Sequence, residues 1–344
     1  LNPSSAASDV YKRQLQLVAR SKKKKLLEKL TDALFQIQGA YALVILTNKK
    51  LIGVRDPYGI RPLVLGDKNG SPVLASETCA LDMIGAKYIR DVENGEIIII
   101  TEDGIESVKP FLKVKERPCI FERIYFASPD SIVNGKTVYT YRKGLGQQLA
   151  IENNISADVV VPIPDSGVSA AIGFSQTSSI PFELGIIRSH YVGRTFIEPS
   201  QSIRQFGVKL KHSVNRSCIE NKRVILIDDS IVRGTTASKI VKMVYEAGAK
   251  EVHLGISCPP IIHPDFYGID TPNYEELIAS YANIKEMTKL VGAKSLFFLT
   301  LEGTYKAMGY DKRNAVTPQF TDHCFTGEYP IDVSDILKLN SKNA

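Results

Sequence analysis

The sequence predicts an α/β chain in two parts: a sheet-rich N-terminal piece, then a parallel sheet with helices on both faces. Residues 108–330 alternate helical stretches with short, almost wholly apolar runs: VVVPI (159–163), FELGIIR (182–188), VILID (224–228), EVHLGIS (251–257) and SLFFL (295–299). Runs of that kind suit strands buried on both faces. Residues 15–107 read differently, as several strand-like runs separated by turn signals. A third observation joins strand to helix: VILIDDSIVRGTT (224–236) ends a buried strand in two adjacent carboxylates and a phosphate-sized turn.

Taken in order, residues 1–14 are small, polar and without period, and read as a non-native or disordered head. Arg20 to Leu34 reads as a basic helix with Leu26, Leu27, Leu30 and Leu34 on one face, and Lys22 to Lys25 as a solvated face. The strand-like runs are YALVILT (41–47), LIGVR (51–55), PLVLG (62–66), PVLAS (72–76) and EIIIIT (96–101), divided by Asp56-Pro57, Asn69-Gly70 and Asn94-Gly95. Cys79, in ASETCALDMIG, reads as a buried packing cysteine. Residues 331–344 form a C-terminal tail.

Composition excludes several classes. The chain has 344 residues, 44% of them apolar and 23% charged, enough for two domains with ordinary cores. It contains no run of 18 apolar residues and no signal-peptide pattern. Five cysteines without Cys-x-x-Cys suit a reducing, cytoplasmic setting. The net charge of +6 is mild and suits a phosphate-rich substrate without invoking nucleic acid. The five histidines show no metal-ligand spacing, and Gly144-Leu-Gly146 lacks the strand and third glycine of a dinucleotide fingerprint.

The chemistry concentrates in Asp228 to Thr236. A helix N-terminus attracts phosphate, Gly234 lets backbone approach it, and the Thr235 and Thr236 hydroxyls add donors. Asp228 and Asp229 stand where a ribose attached to that phosphate would lie; they can accept from vicinal hydroxyls and favour positive charge on a sugar ring. No Gly-Lys-Ser/Thr follows, so this is not a P-loop. A second loop, Pro164-Asp165-Ser166-Gly167, also follows a strand, where an ordinary helix cap by Asp or Ser is the competing reading. Residues 188–212 mix Gly, Pro and Ser with Arg188, Arg194, Arg204, Lys209 and Lys211.

IDDSIVRGTT resembles the phosphoribosyl pyrophosphate (PRPP) signature of type I phosphoribosyltransferases. YFASPDS (125–131), VVVPIPDSGVSAA (159–171), YVGRTFI (191–197) and FYGIDTP (266–272) narrow the resemblance to the amidophosphoribosyltransferase family, from about Leu26 to about Pro330. It implies a phosphoribosyltransferase domain over 108–330 and, from GAYALVI, RDPYGIRPLVLG and LASETCALD, the later part of an αββα N-terminal-nucleophile glutaminase domain over 15–107. It further implies transfer of nitrogen from glutamine or ammonia to C1 of PRPP, giving 5-phosphoribosylamine and pyrophosphate, the first step of purine synthesis.

By that resemblance PRPP meets Asp228, Asp229, Ser230, Arg233, Gly234, Thr235, Thr236, Asp165, Ser166, Gly167, Tyr191 and Lys211. Ser166, Asp228 and Asp229 mark a Mg²⁺ site, and Arg194 belongs to a lid and joins Asp228 and Asp229 as a catalytic group. Homo-oligomers and inhibition by purine nucleotides are also implied. The family's first-residue cysteine has no counterpart at Leu1, and about 130 to 150 residues of an ordinary glutaminase domain have none either, so glutamine hydrolysis is not expected of this sequence. Some members hold a [4Fe–4S] cluster on four cysteines. Cys119 and Cys324 match two positions, whereas Asp265 and Thr321 stand at the others, so no cluster is expected. A base-salvage phosphoribosyltransferase and a PRPP-binding nucleic-acid regulator are the alternatives; residues 39–107 weigh against the first, and the lack of a concentrated basic domain against the second.

Overall fold

The structure, a computed structural model, describes residues 14–189, 212–269, 271 and 273–334. The N-terminal part layers helix, sheet, sheet and helix. Helix α1 (Leu26–Leu34) covers the antiparallel sheet β1 (Ala42–Leu46), β2 (Leu51–Arg55), β6 (Ile97–Thr101), β7 (Gly104–Val108). The second sheet is β4 (Ser71–Ala75), β3 (Val64–Lys68), β5 (Lys87–Asp91), with α2 (Thr78–Met83) outside it. The isoleucine run of β6 shows why: side chains alternate along a strand, and here both faces are covered. Ile97 and Ile99 pack with Leu30 and Leu34, whereas Ile98 and Ile100 pack with Leu63 and Leu65 of the other sheet. Val64 turns outward onto Leu81 and Ala86. This is the αββα order expected from sequence.

The second part holds β8 (Ile132–Val133) and β9 (Lys136–Thr137), a short hairpin, then α3 (Val138–Glu152). Its main sheet runs in the order β10 (Val159–Pro162), β13 (Arg223–Asp228), β14 (Glu251–Ile256), β15 (Ser295–Phe298), every pair parallel. Helix α4 (Val168–Ser178) packs with α3, while α5 (Thr235–Glu246) packs with α6 (Ile284–Val291). Helix α7 (Leu301–Ala307) also lies on α3. Burial on both faces keeps Val224 to Ile227 wholly solvent-free. Gly144-Leu-Gly146 serves packing: a Cβ on Gly146 would come 1.8 Å from the Ala170 carbonyl oxygen, so α3 and α4 cross backbone to backbone.

The loop 56–61 joins the two parts. Asp56, with no exposed surface, accepts from the N–H groups of Tyr58, Ile60 and Arg61. That fixes Ile60 inside the second part's core and lets Tyr58 and Ile60 accept from Arg117 N and Cys119 N. Arg61 then reaches across, donating to Glu122 at 2.8 Å and to the Tyr267 carbonyl at 2.9 and 2.7 Å.

Several expectations need correction. The segment 182–188 is not a strand of the main sheet. Phe182 makes one parallel bridge to Val160, after which β11 (Ile186–Arg188) pairs antiparallel with β12 (His212–Val214). The helix expected over Arg20–Leu34 is interrupted, with helical residues 14–20, a break over 21–25, and α1; Lys22 to Lys25 are exposed and have no apolar face to bury. Cys79 is half-buried, with Sγ 3.9 Å from Glu77 Oε2, because α2 is a short outer-layer helix. Strands β5 and β7, KYIRD and GIESV, went unpredicted because most of their side chains are exposed and they carry no apolar run.

Candidate functional site

The site gathers at the carboxyl ends of β10 and β13. Parallel pairing of Pro162 with Ile227 brings the loop after β10 beside the acid pair after β13, and Ile163 N donates to the Ile227 carbonyl at 2.9 Å. Gly167 N bonds back to Ile163 O, folding 164–167 into a tight turn ahead of α4. No side chain caps α4, so the competing reading of Asp165 or Ser166 as an ordinary cap is not realised. Ser166 Oγ instead donates to Asp228 Oδ1 at 3.3 Å. Asp165, largely exposed, is ion-paired with Arg188 of β11.

Asp228 closes β13. Its carbonyl accepts from Ser257 N at 2.9 Å and Ser257 Oγ at 3.2 Å, anchoring the pair to the end of β14, a contribution the sequence did not announce. Asp229 N donates to Asp228 Oδ1 at 2.9 Å, and Ser230 Oγ donates to Asp229 Oδ2 at 2.9 Å. Burial first, and then the neighbouring Asp229 carboxylate, push Asp228 well above the usual carboxylate range. The pair is therefore poised for a cation or for hydroxyl donors.

The turn expected over 230–236 is shorter than expected. Gly234, at φ +74°, precedes α5, and Thr235 and Thr236 form the helix's first turn. A side chain at Gly234 would be strained and would also press on Ile278, 2.8 Å away. No side chain caps α5, so the donors of its first turn face the loop. Ile278 N holds the Val232 carbonyl at 2.8 Å, and Glu276 holds Arg233 at 2.6 Å. Ser257, Glu276 and Ile278 thus support the loop from segments with no motif of their own. Of the expected site residues, Asp165, Ser166, Gly167, Asp228, Asp229, Ser230, Arg233, Gly234, Thr235 and Thr236 converge here. Tyr191, Arg194 and Lys211 lie outside the described residues.

Comparison with known proteins fits this geometry. Residues 12–83 match a glutamine amidotransferase domain and residues 132–282 a phosphoribosyl transferase domain. The solved structure of glutamine PRPP amidotransferase from B. subtilis, complexed with ADP and GMP, superposes with a TM-score of 0.86 at 46% identity, over 93% of this chain and 70% of that one. The chain belongs to the amidophosphoribosyltransferase family. Curated amidophosphoribosyltransferases include one from Rhizobium etli, 57% identical over 93% of this chain, and a chloroplastic one from Glycine max, 50% identical over 94%. The chain spans 66% and 56% of the lengths of these two relatives.

Two groups that the family implies can be tested against the residues. For Mg²⁺, the adjacent Asp228 and Asp229 carboxylates beside Ser166 Oγ supply oxygen donors of the right kind. Among the described residues no three His, Cys, Asp or Glu side chains gather as a metal site, so substrate and water oxygens would complete the coordination. For a [4Fe–4S] cluster the donors do not fit. Cys119 and Cys324 are both buried, and the other two positions present an Asp265 carboxylate and a Thr321 hydroxyl in place of thiols. The Thr321 hydroxyl is engaged with the Arg117 carbonyl. No helix of the described residues is long and apolar enough to cross a membrane.

Proposed function

We propose that residues 108–330 form a phosphoribosyltransferase domain that moves ammonia nitrogen onto C1 of PRPP, releasing pyrophosphate and 5-phosphoribosylamine, behind a glutaminase-type part over 15–107. The observation that carries this reading is the acid pair of β13, set between the 164–167 turn and the uncapped N-terminus of α5. The 5-phosphate takes the N–H groups and hydroxyls of 230–236, an anion at a helix N-terminus. Asp228 and Asp229 accept from the ribose hydroxyls, which orients the ring and favours positive charge as the C1–oxygen bond breaks. Asp165, Ser166 and Gly167 lie against the pyrophosphate. Mg²⁺, held with Ser166, Asp228 and Asp229, would neutralise charge on the phosphate oxygens. Pyrophosphate leaves with the bonding electrons, ammonia forms the new C1–N bond, and nitrogen then gives up a proton.

Tyr191, Arg194 and Lys211 complete this reading as lid and substrate contacts that exclude water from the glycosyl donor. Purine nucleotides as inhibitors, a homo-oligomeric assembly and a cytoplasmic setting belong to the same reading. The test is pyrophosphate release from PRPP and Mg²⁺ with ammonium chloride or glutamine as nitrogen source. Release with ammonium is the expected result, and release with neither source would sink the assignment. Release with glutamine would give the chain both half-reactions.

A further inference from the structure

Segments far apart in sequence meet around Asp265 and His323. Cys119 and Thr321 form a parallel bridge, with Thr321 N bonded to the Pro118 carbonyl at 2.9 Å. Ile262 N and His263 N both donate to the Cys324 carbonyl, at 3.0 and 3.1 Å. Tyr329 OH reaches the Pro264 carbonyl and Tyr267 OH the Ile331 carbonyl, each at 2.8 Å. At the centre Asp265 Oδ2 faces His323 Nε2 at 2.8 Å, and each side chain is only 1% exposed.

The contact is a close approach rather than an aligned hydrogen bond. Neither Asp265 Oδ2 nor either ring nitrogen of His323 has another hydrogen-bond partner among the described residues. Asp265 Oδ1 is fully used, accepting from Tyr267 N at 2.7 Å and Ile269 N at 2.8 Å. The His323 ring packs against both Tyr267 and Tyr329, with centroids at 5.0 and 4.8 Å. The buried Asp265 carboxylate and His323 imidazole face each other here, with the Arg61 guanidinium as a further charge acting on Asp265. Asp265 and Thr321 stand where cluster-bearing members of the family have cysteines, and His323 lies between Thr321 and Cys324.

We propose that the Asp265–His323 pair occupies the place of an iron–sulfur cluster in this chain and ties the segments around 119, 265 and 321–324 together without metal. The pair joins residues 58 positions apart in sequence, closing the C-terminal segment onto the loop after β14. Because Asp265 cannot leave Tyr267 N and Ile269 N without unfolding the 265–269 turn, the staple also fixes the Tyr267 carbonyl that receives Arg61.

The test pairs metal analysis with a mutant cycle on the full chain. Protein purified without oxygen is expected to hold no stoichiometric iron or acid-labile sulfide; about four of each per chain would overturn the inference. His323→Leu takes the imidazole away from the buried Asp265 charge, and is expected to lower Tm by about 5–10 °C. Adding Asp265→Asn removes that charge while keeping the Oδ1 acceptor, so D265N/H323L is expected to melt above H323L. If H323L does not fold, recovery of soluble, folded D265N/H323L reads the same coupling. Losses that simply add, or a double variant no better than H323L, would refute the staple. Neither readout depends on transferase activity, so its failure would leave the proposed function standing.

Discussion

Gly167→Ala is the smallest change that tests the site. Gly167 sits at φ −76°, where alanine is at ease, so the substitution costs nothing in backbone conformation. The obstacle is space: a Cβ there would lie 2.2 Å from the Ile227 carbonyl oxygen and 2.9 Å from that of Ile163. Both are backbone atoms and cannot rotate away. Relief requires the 164–167 turn to retreat by about 1 Å, and displacements of that size at a reacting centre cost roughly 100-fold in rate. The retreat pulls on the Ile163 N to Ile227 O bond that seats the turn, and moves Ser166 Oγ from its 3.3 Å contact with Asp228. Overpacking of this kind also costs about 1–3 kcal/mol of stability. The assay is ammonium-supported pyrophosphate release at saturating and limiting PRPP, with thermal melts of the same samples. A folded G167A protein within threefold of the parent rate would show that this turn does not sit against the reacting group, and would refute the reasoning.

Other perturbations follow from the same contacts. Asp228→Asn should abolish pyrophosphate release yet raise Tm at pH 7. The raised Asp228 pKa means that ionisation opposes folding increasingly as pH rises from 3.8 toward the folded value, and a melt below pH 3.8 should show no gain. Arg61→Ala should cost about 3 kcal/mol in urea unfolding, because it leaves the half-buried Glu122 carboxylate and the Tyr267 carbonyl without their shared donor. Arg61→Lys should recover little of this, since an ammonium cannot serve both; near-parental stability of R61K would contradict the forked contact. Burial alone would raise the Glu96 carboxyl, but Arg90, Ser107 Oγ and Glu93 N bring it down to about 2. Its contribution, up to about 3 kcal/mol, is therefore complete above pH 4.5 and lost as pH falls from 4.5 toward 2. Glu96→Gln should flatten that acid limb in a pH series of unfolding curves, and an unchanged limb would count against the pair.

What was legible in the sequence was what is local. VILIDDSIVRGTT encodes strand, acid pair, glycine turn and helix in thirteen consecutive residues, and each is where that order places it. The run Ile97 to Ile100 announced a strand in the same way, and the structure adds that both its faces are covered. Only the tertiary structure could decide the rest. Residues 182–188 are apolar enough for the central sheet, yet pairing with 212–214 takes Ile186–Arg188 out of it. The exposed strands Lys87–Asp91 and Gly104–Val108 exist because β3 and β6 offer them an edge, and their composition carries no trace of that. Ser257 supports the acid pair from the end of the neighbouring strand β14, and Ile278 N holds the 230–236 turn from a segment far along the chain. Arg61 meets the Tyr267 carbonyl across 206 positions, and Asp265 meets His323 across 58. Patterns of period 2 or 3.6 report the neighbours along one element; a buried charge takes its partner from whichever distant segment the packed core brings within 3 Å, and that choice is made only when the chain has closed.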